Sequence, residues 1–328
     1  MFRKFTHAAS ALAVAAAIAM TGSAFAQGAA WKPDKPVRAI VPFGAGSATD
    51  GIARIVLDEV GKNLGQTIVV ENRVGASGTI GASQVAKADP DGLTLLIAAS
   101  SHTVTPSTFA QLPYDPITDF TAVSPLVSIP NVIVVNAKRG YKTAKDLADD
   151  AKKRDGKVNY ASAGVGSATH LAAERFRLSA NITAQHVPFK GSGEAITEIL
   201  SDRIDFYASP INAAAPLIND GRLTALAVSS KERASALPNV PTTEQAGFKD
   251  SSYEFWVGVL MPKNTPKNIV DSYHAAIAKA LAEPALAKKL AELGADPIKM
   301  SPADFQTMIE SEIKANAAVV KAAGIKVN

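Results

Sequence analysis

Apolar positions along the chain switch repeatedly between two spacings. Residues 37–41 form a short apolar run of the kind a buried strand shows. Residues 50–64 then carry Ile52, Ala53, Val56, Leu57, Val60 and Leu64 at helical spacing. A second strand is predicted at 67–71, a second helix at 78–88 and a third strand at 93–98. Strand, short loop, helix and strand in succession mark a parallel sheet covered by helices.

Residues 123–135 hold two apolar runs, broken at Ser128-Ile129-Pro130. A helix follows over 143–154, with Thr143 as N-cap and Asp146 at its third position. Strands at 158–161, 184–188, 204–208 and 224–229 alternate with helices at 167–179, 193–200 and 212–219. The remainder reads as a strand, 255–261, and helices at 266–282, 284–293 and 302–323. This last strand has no sheet of its own, so the simplest topology returns it to the first series. The expected architecture is α/β, with two lobes joined by two crossovers around a cleft. Lobe 1 comprises residues 27–129 and 251–328, and lobe 2 residues 130–250.

The N-terminus changes the picture of where such a protein works. Arg3 and Lys4 precede an apolar run of about 13 residues, shorter than the ~20 a spanning helix needs. Ala24-Phe25-Ala26 is an A-x-A cleavage site, so residues 1–26 read as a signal peptide and the protein as periplasmic. No cysteine is present, which excludes disulfides, thiolate metal sites and cysteine nucleophiles. Removing Arg3 and Lys4 lowers the formal charge from +4 to +2. No basic tract or aromatic-basic interleaving is present, and nucleic acid is not an expected partner.

Four loops share one design. They are Phe43 to Asp50, Glu71 to Ala82, Ala161 to Phe176 and Val187 to Ile196, each with Gly and Ser or Thr ahead of a helix. The first turn of a helix leaves about four amides without intrahelical partners and carries roughly half a positive charge. Glycine lets a ligand approach those amides, so a carboxylate or phosphate fits. None of the loops reads as a P-loop, and the first carries only Gly44 and Gly46 of a dinucleotide fingerprint. The five histidines show no zinc spacing and no G-x-S-x-G elbow occurs, so no metal, cofactor or catalytic residue is expected.

Individual residues carry two readings. Asp50 either touches the ligand or caps its helix. His170 either faces the cleft from its helix's first turn or sits at the edge of the core. In the first case anion binding strengthens as pH falls from about 7.5 to 6. Lys190 either steers anions or is solvated beside its turn. His102 either lines the cleft or does not. Arg73 reads as an ion-pair partner of Glu71, and Phe255 and Trp256 as core or hinge.

The segments "VPFGAGSATDGIAR", "VVENRVGASGTIGA", "VNYASAGVGSATHLAAERF" and "HVPFKGSGEAITEIL", with others along the chain, resemble the periplasmic substrate-binding proteins of tripartite tricarboxylate transporters, the Bug-type receptors. The resemblance implies a type II periplasmic-binding fold that closes on a small carboxylate, with a membrane permease as partner and a monomeric receptor. Backbone amides and small hydroxyls would hold the ligand, here at Phe43, Gly44, Ala45, Gly46 and Ser47 and at Ala76, Ser77 and Gly78. Water would bridge to lobe 2 near Gly164 to His170. The full expected set adds Asp50, Ser101, Ser162, Gly166, Thr169, His170, Lys190 and Ser209. The chain departs from the family pattern in its first loop, where Gly44-Ala45-Gly46-Ser47 replaces the usual proline-proline-glycine-glycine, and at Val74 and Ser77. Two rival readings stand beside this one: a receptor that presents its ligand to a sensor kinase, and a secreted enzyme using His170 as general base.

Processing is directly testable: mass spectrometry of the exported protein is expected to find Gln27 as its first residue. A soluble periplasmic species retaining residues 2–26 would overturn the assignment.

Overall fold

The computed structural model describes residues 31–325, so the predicted signal peptide lies outside the described residues. In chain order the elements are β1 Val37–Val41, α1 Ala48–Leu64, β2 Ile68–Asn72, α2 Thr79–Ala86, β3 Thr94–Ala99, α3 Thr105–Thr108 and β4 Phe120–Asn136. Then come α4 Ala144–Arg154, β5 Asn159–Ser162, α5 Ala168–Ser179, β6 Gln185–Pro188, α6 Ser192–Leu200, β7 Phe206–Pro210, α7 Ile211–Asn219 and β8 Leu223–Val228. The chain closes with β9 Glu254–Pro262, α8 Lys267–Leu281, α9 Pro284–Glu292, the two-residue β10 Asp296–Pro297 and α10 Pro302–Ala323.

Local chemistry fixes many of these boundaries. Ser47 caps α1 by accepting from the Asp50 amide, and Gly65 ends that helix in the left-handed conformation. Thr143 and Asp146 form the expected capping box of α4. Ser301 caps α10, which opens with Pro302 and ends at Gly324.

The strands run in the order β2-β1-β3-β9-β4-β7-β5-β6. The break predicted at Ser128-Ile129-Pro130 is absent: β4 is one continuous 17-residue strand. Through Pro130 it pairs antiparallel with β9, and from Asn131 onward with β7 and β8. Proline has no N–H to offer a ladder, and Pro130 sits where the strand changes partners. Pro125 sits at an irregularity of the β4–β9 register. β9 lies between β3 and β4 and belongs to the first sheet.

Each half has its own core. Ile40, Val85, Leu96, Trp256, Leu260 and Phe305 pack together in the first. Ile133, Tyr160, Leu171, Phe176 and Phe206 are central to the second. α10 reaches both, with Phe305 and Ile309 in the first core and Val320 in the second. Between these anchors lies a buried polar cluster. Trp256 Nε1 donates to Glu312 (2.8 Å), Asn316 Nδ2 donates to Thr103 Oγ1 (2.9 Å), and Arg175 of α5 donates to Asn316 Oδ1 (2.8 Å). Burial pushes the Glu312 carboxyl above its usual range, against the pull of the Trp256 and Thr103 bonds.

α10 docks on β9 because Gly258 leaves room for it. A Cβ there would lie 2.5 Å from Phe305 Cζ and 3.2 Å from Ser124 O. Gly258→Ala is expected to lower unfolding free energy by about 1–3 kcal/mol, measured by denaturant titration, as overpacked cores do. An unchanged midpoint would show that Phe305 swings aside freely.

Candidate functional site

The pairing registers place the glycine-rich loops opposite one another. β1, β2 and β3 are mutually parallel, and β5, β6 and β7 likewise. Pro130 at the end of β4's first pairing faces Glu254, the first residue of β9, at the edge where β3 ends. The next residue, Asn131, faces Pro210, the last residue of β7. β4 therefore leaves the first sheet at the carboxyl edge of β1–β3 and enters the second at the carboxyl edge of β5–β7. Ligands of open α/β sheets bind at such edges. The second crossover runs from β8 to β9 beside it, where Ser229 N donates to Asn131 O (2.8 Å) and Tyr253 N to Ser229 O (2.7 Å).

In the first loop, Asp50 is 3% exposed and fully engaged by its own chain. Its carboxylate accepts from the Gly46 amide (2.9 Å), Arg54 Nε (3.1 Å) and Asn72 Nδ2 (2.9 Å). Asn72 also donates to Phe43 O (2.9 Å). Burial disfavours the Asp50 charge, but Arg54, Gly46 and Asn72 outweigh it and hold the carboxyl below its usual range. Asp50 thus shapes the loop from behind. The Gly46 amide is occupied by Asp50, and Ser47 by the helix cap. Gly44 and Ala45 are exposed, and their amides make no hydrogen bond to the described residues.

The second loop bends through four consecutive residues of positive φ: Gly75 (140°), Ala76 (46°), Ser77 (54°) and Gly78 (94°). Left-handed Ala and Ser are uncommon and strained, a feature that concentrates at ligand-binding turns. The Ala76 and Ser77 amides are exposed and, among the described residues, without acceptors. Ser77 and Gly78 share a narrow pocket with Pro42, Phe43, Ser101 and Tyr114. His102 also lines this pocket, its ring largely buried against Tyr114 and Phe120 and its Nε2 held by Pro116 O (2.9 Å). The nearby cations are already paired, Arg54 with Asp50 and Arg73 with Glu71.

The second lobe's loop is knitted to itself. Thr169 Oγ1 accepts from Ala163 N (2.8 Å), Ser167 Oγ donates to Gly164 O (2.7 Å), and Ser162 Oγ accepts from Gly164 N (3.1 Å). His170 is only 4% exposed; its Nδ1 accepts from the Gly166 amide (3.0 Å). The ring stacks on His186 with centroids 3.8 Å apart. Burial first, and the neighbouring His186 second, hold its pKa down at about 4. This environment disfavours the charged ring, and with it the gain in anion binding expected through His170 between pH 7.5 and 6.

The structure brings Phe43, Ser77, Gly78 and Ser101 to one pocket, flanked by Gly44, Ala45 and Ala76. It gathers Ser162, Gly166, Thr169 and His170 into one hydrogen-bonded turn. Lys190 is exposed beside α6, its amide bonded to Glu194 (3.1 Å). Ser209 is fully buried, its hydroxyl donating to Pro210 O (3.2 Å). Three organising residues escaped the sequence reading: Asn72, His186 and Tyr207. Tyr207 is buried and its hydroxyl donates to Ser192 Oγ at the start of α6 (3.0 Å). Only the strand-end polarity of Asn72 in "VVENRVG" hinted at any of them.

A family model described as "Tripartite tricarboxylate transporter family receptor" matches residues 52–325. The chain is 34% identical over 311 residues to Protein BugT of Bordetella pertussis, covering 94% of this chain and 95% of that protein. Among solved structures it is similar to R. palustris Rpa4515 with adipate, at 33% identity and TM-score 0.73, covering 90% of this chain and 99% of that one. It is also similar to MatC (Rpa3494) from Rhodopseudomonas palustris with bound malate, at 31% identity and TM-score 0.70, covering 88% and 99%.

The buried imidazole has a sign-specific consequence for stability. His170 titrates near 4 when folded and near ~6.5 when unfolded. Its contribution is whole above the unfolded value and is lost as pH falls from about 6.5 toward 4. Thermal melts over that range are expected to show wild type losing more stability than His170→Phe. Parallel losses in the two proteins would contradict the assignment.

Proposed function

The chain belongs to the tripartite tricarboxylate transporter receptor family, and on that premise we propose that it is a periplasmic receptor that captures a small organic carboxylate and delivers it to a permease of that transporter type. Lobe 1, residues 27–129 and 251–328, presents the Gly44, Ala45, Ala76 and Ser77 amides with the Ser101 hydroxyl to the anion. Lobe 2, residues 130–250, closes on it with the turn before α5 and with Lys190. The observation that carries this reading is the set of exposed amides, unpartnered among the described residues, at the carboxyl edge of β1–β3, facing the same edge of β5–β7. Adipate on Rpa4515 and malate on MatC support a carboxylate as the ligand class.

Holding fits this site better than reacting. His170, the base a hydrolytic enzyme would need, already accepts a hydrogen bond from the Gly166 amide at Nδ1, and burial makes it a weak base. Asp50 is likewise engaged on both carboxylate oxygens. Neutral amide dipoles suit a ligand that must be released, because they stabilise the anion without a buried ion pair.

A thermal-shift screen of purified protein against aliphatic mono-, di- and tricarboxylates tests the reading. A ligand present at 100 times its Kd adds about 2.7 kcal/mol of stability. The hit is expected to saturate at one per chain, to be recovered unchanged, and to bind at least ~10-fold more weakly to Gly46→Val, whose left-handed φ of 81° a β-branched residue resists. No shift with any carboxylate, or consumption of the hit, would refute the receptor assignment.

A further inference from the structure

His170 and His186 come from different segments and meet in the second lobe. Their rings lie 10° from parallel with centroids 3.8 Å apart. Each ring controls one point of the turn before α5. His170 Nδ1 accepts from Gly166 N, and His186 Nε2 lies 2.6 Å from Ser162 Oγ, which in turn holds Gly164 N. Gly164 (φ 131°) and Gly166 (φ 74°) both adopt backbone angles that cost nothing only for glycine. A turn of two glycines has many alternatives, and these two bonds select one of them.

We propose that His170 is a positioning residue for the anion-facing turn of lobe 2, and that the stacked His170–His186 pair forms a proton-sensitive latch that lets the turn go when it is acidified. The proposal rests on the receptor reading and adds to it a means of control. A protonated Nδ1 carries a hydrogen and cannot accept from Gly166. Two adjacent imidazolium rings repel, so the first proton disfavours the second and the pair titrates in two separated steps that belong to the pair and not to either ring.

The groups facing the pair are few. Among the described residues, Glu174 and Arg177 belong to α5 itself and Tyr160 to β5; Ala323 at the end of α10, with Gly324 and Ile325 after it, lines the adjoining pocket without a charge. Glu174 is already shared between Arg177 Nη2 (2.7 Å) and the Tyr160 hydroxyl. The carboxylate that could stabilise a histidinium is thus partly neutralised, and Arg177 opposes the added charge. The local arrangement favours a neutral pair that yields only to acid.

The test needs no ligand for its first arm. In purified, ¹⁵N-labelled protein at pH 7, the Gly166 amide nitrogen is expected to show a scalar coupling to His170 Nδ1 through their hydrogen bond. The coupling should vanish as the pair is acidified, and be absent in His170→Phe. His170→Asn keeps an acceptor near the Nδ1 position and should leave the Gly166 amide protected and insensitive to pH between 7 and 4. In the second arm, adipate affinity is measured by calorimetry at pH 7. A loss of ~10-fold in His170→Phe, restored by His170→Asn, is expected for removal of one such bond. Absence of the coupling, or a Gly166 resonance that ignores the histidine titration, overturns the latch. A confirmed coupling with equal affinity in wild type and His170→Phe overturns the positioning role and leaves the receptor standing. Failure of wild type to bind adipate or any other carboxylate in the screen removes the receptor reading and this proposal with it.

Discussion

The whole arrangement depends on the unbroken backbone of β4. One strand supplies hydrogen bonds to two sheets, and it changes from one to the other within a single peptide, between Pro130 and Asn131. Because the strand does not turn back, the carboxyl edges of both sheets must meet where it crosses. Every loop discussed above lies on one of those two edges. The location of the glycine-rich loops is thus a consequence of strand register before it is a property of the loops.

Charge is managed by a similar division of labour. The acids and bases near the cleft are directed at the protein: Asp50 at Arg54, Gly46 and Asn72, Glu71 at Arg38 and Arg73, Glu174 at Arg177. Arg38 and Arg73 hold the Glu71 carboxyl well down, at about 2, against the cost of burial. The anion site proposed on the first lobe is left with the Ser101 hydroxyl and the backbone itself, bent by Ala76 and Ser77 into an otherwise unfavourable shape. A surface of amides distinguishes ligands by shape and reach more than by fixed charge.

Most elements were legible because their periodicity and caps agree. The capping box at Thr143 and Asp146 and the span of α10 were readable directly, since local sequence alone decides them. The misread places share a cause: long-range partners. Ser128-Ile129-Pro130 reads as a break because proline rarely sits within a strand, yet a change of partner strand makes its missing N–H harmless. His170 reads as either a cleft or a core-edge residue because its position in the helix is known and its neighbour is not; His186 lies 16 residues away on β6. The choice between ligand contact and loop support for Asp50 was decided by Asn72, from another strand. Four Gly-Ser loops pointed to an anion, but which amides stay free depends on hydrogen bonds that no single loop encodes.

α10 has a further consequence. One helix contributes Phe305 and Ile309 to the first core and Val320 to the second, and its middle is tied by Asn316 to Arg175 of the opposite lobe. Two lobes built on separate cores would ordinarily be free to melt separately. Here neither core can come apart without stripping a face of the same helix and exposing the buried Glu312–Asn316 cluster. Thermal unfolding of the two halves is thereby joined into one cooperative event, and a hinged molecule behaves toward heat as though it had a single interior.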